Sequence, residues 1–410
     1  MDQTIVFYCI LFILIGEFIL ATVMNYLNAK RFKDPIPTEV ADVFNAEEYK
    51  KSQAYKLTNY KFGIITSVFS LVLILAFLLF GGFAWVDQVA QNISNNSIVQ
   101  ALIFFGIIMI GSDILNLPFS YYQTFVIEEK FGFNKTTKAT FFIDKLKQWL
   151  MTIIVGGIIL SLILLFFQWT GTNFWLYSWA LITIFTLFMN LFYSKLIVPL
   201  FNKQEPLEAG SLKSKIENYA AEVGFDLQNI FVINGSKRST KANAYFSGFG
   251  KEKRVTLYDT LINDLEEEEI VAVLAHEIGH YKRKHIIYNL ATSVLLTGVM
   301  LLILSLFINN SEVSLAIGVD RPSFHAALIG FGILYSPISE ITGLLMNHFS
   351  RKFEYQADDY AKQTYAALPL VASLKKLSKN SLSNLTPHPA YVFMHYSHPP
   401  LIDRIRNLKA

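Results

Sequence analysis

The chain has 410 residues and a formal net charge of +3, and only 16% of its residues are Asp, Glu, Lys or Arg, against about 25% in ordinary soluble chains. Its hydrophobic fraction is 53%, with 35 phenylalanines, which excludes a disordered chain and leaves more apolar surface than one soluble core needs. A single cysteine, Cys9, excludes an internal disulfide framework, and the near-balanced charge gives no argument for a nucleic-acid partner.

A helix needs about 20 apolar residues to cross the roughly 30 Å hydrocarbon layer. The first candidate, Ile5 to Leu27, contains Glu17, follows Asp2 and precedes Lys30, Arg31 and Lys33, so it reads as a retained span and not a cleaved signal. Phe62 to Val86 is free of charge, and Ile98 to Pro118 contains only Asp113. Gln148 to Ser194 is 47 residues without a charge, long enough for two helices joined at Thr170 to Asn173. Ile286 to Ser311 and Ser323 to Met346, the latter with His325 and Glu340, complete a count of seven. Ionisable groups inside a span are costly, so Glu17, Asp113 and Glu340 are expected either to line a polar chamber or to hold structural pairs. Trp149, Trp169, Trp175 and Trp179 read as interfacial anchors and packing.

Seven spans sort the charge. The loops after the first, third and fifth spans and the C-terminal segment hold 34 of the 35 basic residues, leaving Arg321 on the opposite side. The positive-inside rule then places the N-terminus outside and these four segments in the cytoplasm. The expected organisation is a five-span region over 1–199, a cytoplasmic region over 200–285 long enough to hold chemistry, a two-span hairpin over 286–346 and a cytoplasmic segment over 347–410. The membrane is that of the endoplasmic reticulum in a eukaryote or the inner membrane in a bacterium.

The region 200–285 opens with a helical pattern at Leu212, Ile216 and Ala220, followed by strand-like runs at Ile230 to Ile233, Ala244 to Phe249 and Val255 to Tyr258. A helix capped by Asn263 or Asp264 comes next, with Glu266 to Glu269 at its positive end. The fold class is therefore mostly α: a polytopic membrane protein with about seven transmembrane helices and a small α+β region on the cytoplasmic side.

All eight histidines lie between His276 and His398. His276, Glu277 and His280 form an HExxH pattern, which sets two imidazoles one helical turn apart to hold a Zn2+ ion and aims the glutamate at water as a general base. A catalytic zinc needs a third protein ligand. Two spans after His280 the chain returns to the same side, where Glu354 stands at the depth of His280, and Asp358, one turn on, can accept the second ring N–H of a ligand histidine. The competing readings are a charged helix face with incidental histidines and helix-surface pairing of Arg351, Glu354 and Asp358. His285, His325, His348, His388 and His395 lack metal-ligand spacing and are expected at surfaces or interfaces. His280 lies about 10 to 15 Å from the nearest charge-free segment, so the scissile bond is expected close to the membrane.

HEIGH at 276–280, SRKFEYQAD at 350–358, GSKRSTKANAYFSGFGKEKRVTLYDTL at 235–261 and HYSHPPLIDRIR at 395–406 together resemble the type I CaaX prenyl endopeptidases, seven-span gluzincin metallopeptidases. The resemblance covers the span order of the whole chain and the motifs of 199–406. It implies one Zn2+ per chain on His276, His280 and Glu354, Glu277 as base and Asp358 behind the ligands. It further implies that His398 and Arg404 orient substrate and stabilise the oxyanion, and that Asn243 and Ala244 belong to a strand that binds an extended peptide by strand addition. The implied partners are a peptide or protein substrate, possibly prenylated, and membrane lipid. The alternatives are a broad-specificity protease of membrane-protein quality control and, from another class, a seven-span transporter or receptor whose HExxH is not catalytic.

Overall fold

A computed structural model describes residues 2–227, 229–247 and 254–410. Among the described residues, seven long apolar helices are present. Six apolar helical stretches are long enough to span, and one of them, Lys138–Phe201, runs for 64 residues, about twice what a bilayer needs. It folds back on itself at Gly171, whose φ of 56° is open to glycine at little cost, and Phe167 meets Phe174 across the bend with ring centroids 5.4 Å apart. The count of seven agrees with the sequence reading. Side chains on these helices point outward, with Phe12 79% and Leu306 73% exposed. Such a surface is stable in a bilayer and not in water, so the chain is a multi-pass membrane protein.

Two spans differ from their predicted limits. The second helix runs Ala46–Leu79, because an Asn45–Glu48 capping box starts it well before the apolar run. Left-handed Gly81 then ends it, and Gly82 to Val86 belong to a separate helix, Gly82–Ile93. The last predicted span is the first half of one uninterrupted helix, Phe324–Thr364, capped by Ser323. At 1.5 Å per residue its 41 residues reach about 60 Å. This helix therefore leaves the apolar zone carrying Glu354 and Asp358 with it. Asp113 holds structural pairs with Lys145 Nζ at 2.8 Å and Trp149 Nε1 at 2.7 Å, and Glu17 accepts from the Ser336 hydroxyl.

The extramembrane unit contains a four-stranded sheet in the order β1 (Gln204–Pro206), β2 (Asn229–Ile233), β4 (Arg254–Tyr258), β3 (Ala244–Ser247). β2 and β4 are parallel, and the two edge strands are antiparallel to their neighbours. β1 has no apolar alternation to announce it; its pairing with Phe231 to Ile233 makes it a strand. The predicted end of the second strand-like run, Gly248 and Phe249, lies outside the described residues. The helix bearing HEIGH is Glu267–Lys282, and its cap is Glu266 with Glu269, not Asn263 or Asp264. Those two residues end a separate one-and-a-half-turn helix, Asp259–Asp264, after which Leu265 is extended.

The core of this unit gathers distant stretches. Ile270, Val271, Leu274, Ala275 and Ile278 of the HEIGH helix are buried with Leu257, Leu261, Ile405 and Leu408, and with Val40 and Phe44 from the loop after the first span. Each large side chain so buried contributes roughly 1.5–3 kcal/mol. Ion pairs tie the unit to the membrane helices: Arg238 grips Asp144 through two bonds of 2.7 and 3.0 Å, and Lys241 meets Glu128 at 2.8 Å.

Candidate metal centre

His276 and His280 lie one turn apart on the HEIGH helix, and their Nε2 atoms are 3.1 Å from each other. The long helix Phe324–Thr364 crosses so closely that a Cβ on Gly279 would stand 3.1 Å from the Cα and carbonyl oxygen of Ala357. Glycine lets the two backbones approach this closely, since any Cβ would push them apart. That approach delivers Glu354, with Oε2 3.4 Å from His276 Nε2 and Oε1 3.2 Å from His280 Nε2. One ligand atom from each of the three residues lies within 4.8 Å of the others.

The surroundings of the two imidazoles set their tautomers. His276 Nδ1 lies 2.9 Å from Asp358 Oδ1, and an ionised carboxylate only accepts, so the ring proton is on Nδ1. Asp358 is itself held by Arg404 through Nε at 2.8 Å and an Nη at 2.5 Å. His280 uses a different device: its Nδ1 lies 3.0 Å from Nδ1 of His285, whose Nε2 lies 2.8 Å from Gln356 Oε1. The amide oxygen accepts, so His285 carries its proton on Nε2 and receives one at Nδ1 from His280. Both candidate ligands thus point Nε2 toward the same place, free of its proton once a cation is held there, where Glu354 Oε2 is buried without a hydrogen-bond partner. Two lone pairs and a carboxylate converging in this way repel one another unless a cation lies between them, and two nitrogens with one oxygen form a donor set suited to zinc.

Without a cation the centre takes up a proton instead. Burial disfavours a charged His276, but its bonds to Asp358 and Glu354 outweigh burial and raise its pKa to about 9. The site therefore draws positive charge, which is a proton when nothing else is available.

These residues open into a cavity of about 590 Å3. Glu277 lines it and, among the described residues, makes no hydrogen bond or ion pair, so it is free to meet water. Asn243 and Ala244 stand at the start of edge strand β3, whose other side pairs with β4. His398, 67% exposed at its side chain, reaches the cavity from the C-terminal segment with Nε2 3.3 Å from Glu354 Oε1. Arg404, nearly buried, has a second guanidinium nitrogen 3.4 Å from Glu354 Oε2. The opposite wall is apolar, made by Leu370, Leu374 and Leu377.

Of the histidines expected at surfaces or interfaces, two are buried between helices. His285 is 2% exposed and stacks on Phe353 with ring centroids 4.2 Å apart, and His325 is 3% exposed and bonds Asp87 at 2.7 Å. His285 had no helical spacing from His280 because the chain breaks at Lys284, a non-glycine residue at φ 60°. Its one sequence signal was a histidine placed directly after a basic triplet. His388 caps the helix Pro389–His395, and His395 packs on Tyr391; neither touches the centre.

The family model described as CAAX prenyl protease N-terminal, five membrane helices, matches residues 25–203, and that of peptidase family M48 matches residues 206–410. The chain is 36% identical to a CAAX prenyl protease 1 homolog of Oryza sativa subsp. japonica, over 98% of this chain and 96% of the relative. It is 34% identical to CAAX prenyl protease 1 of Saccharomyces cerevisiae, over 96% and 93% of the two chains. The crystal structure of S. mikatae Ste24p superposes with a TM-score of 0.94 at 33% identity, covering 99% of each chain.

Proposed function

Because the chain belongs to peptidase family M48, as a membrane-embedded CAAX prenyl protease and metallo-endopeptidase, we propose that His276, His280 and Glu354 hold one Zn2+ and that the substrate is a prenylated C-terminal CaaX peptide. The observation that carries the metal assignment is the convergence of two histidine Nε2 atoms on a buried carboxylate oxygen that has no hydrogen-bond partner. Zinc bound there supplies a Lewis acid for the scissile carbonyl and acidifies the attacking water.

The chain's own residues do the rest. An extended peptide adds to the open edge of β3 beside Asn243 and Ala244, which aligns its backbone along the cleft. Glu277 takes the proton of the attacking water and passes it to the leaving nitrogen. His398 and Arg404 donate to the oxygen that becomes negatively charged. Asp358 holds His276, and His285 holds His280, each in the tautomer that leaves Nε2 free.

The substrate class is supported by the names of the relatives and by the placement of the site beside the membrane helices, where lipid-anchored peptides are concentrated. The distribution of basic residues, 34 of 35 on one side, supports a cytoplasmic catalytic face. The test is cleavage of a CaaX peptide, prenylated and unprenylated, by the purified protein in detergent, with mass analysis of the products. Release of the terminal tripeptide from the prenylated form at a clearly higher rate is expected; equal rates would replace this substrate with a broader class.

A further inference from the structure

The catalytic cavity is not polar only at the metal centre. Its lining includes Lys56, Ser378, Ser383 and Asn384, and it adjoins a second cavity, of about 320 Å3 between the first two membrane helices, through Lys56, Asn384 and Tyr396. Lys56 marks that seam, since it lines both cavities, whereas none of the candidate zinc ligands lines the second one.

Two groups in the lining of the catalytic cavity lack partners. Among the described residues, Lys56 makes no hydrogen bond or ion pair; its nearest aromatic neighbour is the Tyr55 ring at 5.5 Å. The charged groups that act on it are Lys241 and Glu128, which are paired with each other at 2.8 Å, while Glu128 also accepts from Tyr55 at 2.6 Å and Gln123 at 3.1 Å. That cluster is neutral and saturated, so Lys56 is left as an uncompensated cation, partly withdrawn from water. The second group is the Ser378 hydroxyl. Its residue is 7% exposed, its oxygen has no hydrogen-bond partner among the described residues, and it lines the same cavity. A withdrawn cation and an orphaned hydroxyl each cost free energy until a ligand satisfies them, and one group that satisfies both is a carboxylate.

We propose that Lys56 and Ser378 form a subsite for the free C-terminal carboxylate of the peptide being cleaved. The inference rests on the peptidase reading above and adds to it a rule for where the bond is cut. The cavity lining also includes Val273, Leu370, Leu374 and Leu377, which suit apolar side chains, and its other permanent cation, Arg404, is already held by Asp358. A carboxylate fixed at Lys56 therefore measures the peptide from its end. Three extended residues span about 10 Å, so the cleft acts as a ruler that places a bond near the C-terminus over the metal, independently of which apolar side chains intervene.

The experiment uses the full-length, zinc-loaded protein in detergent and two prenylated peptides that differ only in ending as a free acid or as an amide. The wild type is expected to cleave the acid with at least about tenfold higher kcat/KM, carried by KM, as a charge-assisted bond to a carboxylate predicts. Lys56→Met should bring the acid down to the level of the amide, Lys56→Arg should restore the preference, and Ser378→Ala should reduce it about threefold. Zinc content and melting temperature establish that each variant is folded. Equal kcat/KM for acid and amide in the wild type, or an undiminished preference in folded Lys56→Met, overturns the carboxylate subsite while leaving the peptidase reading intact. A wild type that cleaves neither peptide overturns both. Should vesicles containing an anionic phospholipid abolish the acid preference that neutral vesicles leave intact, the subsite binds lipid phosphate in place of the peptide terminus, and the proposal falls.

Discussion

His280 Nδ1 lies 3.0 Å from His285 Nδ1, although the two residues are on different helices separated by the left-handed break at Lys284. The contact orients a candidate metal ligand through a second imidazole, with Gln356 at the end of the chain of bonds. Replacing His285 by Ala removes the acceptor for the His280 ring proton and the stack on Phe353. Metal affinity should fall by about 10- to 100-fold, as for other groups that hold a ligand histidine. His285→Asn, whose amide oxygen can accept the same proton, should recover part of that loss. Zinc retained against a graded chelator, measured before any assay of cleavage, reads both effects.

A pH dependence follows from His276, whose pKa is raised to about 9 because its bonds to Asp358 and Glu354 outweigh the burial that opposes its charge. A metal must displace that proton. Apparent zinc affinity should therefore rise by about tenfold per pH unit between the ordinary histidine value near 6.5 and about 9, and level off above. Calorimetry in buffers of different ionisation enthalpy should find about one proton released per zinc at pH 7.5. In the metal-free protein the sign of the stability effect is the reverse. The folded pKa is the higher one, so the stabilisation is complete below about 6.5 and is lost as pH rises through about 9. Thermal melts of the apoprotein between pH 6 and 10 test it, and a melting temperature that rises over this range would contradict the assignment.

Gly279 is the point where the HEIGH helix meets the helix that carries Glu354. An added Cβ would lie 3.1 Å from two backbone atoms of Ala357 and from Tyr360 Cβ, atoms that cannot swing aside as a side-chain tip does. Gly279→Ala should destabilise the protein by roughly 1–3 kcal/mol by overpacking, and should also loosen the metal site by moving Glu354 from the two histidines. Melting temperature and zinc stoichiometry should fall together. A variant that melts lower but binds zinc as tightly as before would show that the helix contact does not set the ligand distances.

The parts of this architecture that were legible in the sequence are those written in local periodicity. Apolar runs of about 20 residues gave the spans, and a spacing of four put His276 and His280 on one face. The return of the chain after two spans placed Glu354, and the structure brings it within 3.4 Å of His276. What escaped was set by backbone breaks and long-range contacts. The bend at Lys284 has neither Gly nor Pro to announce it, and so the burial of His285 was hidden. Gly81 cut the run from Phe62 to Val86, yet no charge or proline marks that place. β1 is a strand only because Phe231 to Ile233 pair with it. Lys56, in an unremarkable polar stretch, faces the cleft because its helix begins 16 residues before the apolar run, at Ala46.

Glu277 provides the sharpest separation of metal binding from chemistry. It lines the cavity beside both histidines, and among the described residues it makes no hydrogen bond or ion pair that a substitution would break. Glu277→Gln keeps the size of the side chain and removes only its ability to take a proton. Zinc content and melting temperature should therefore match the wild type, while kcat for a prenylated CaaX peptide falls by at least about 10²- to 10⁴-fold, the usual contribution of a positioned general base. KM should change little, because Glu277 contributes to proton transfer and not to holding the peptide. Peptide bound to the zinc-loaded variant should then remain intact over hours. Cleavage within tenfold of the wild-type rate would transfer the role of base to another group in the cleft, with His398 the first to examine, since its ring reaches Glu354 at 3.3 Å and is open to water.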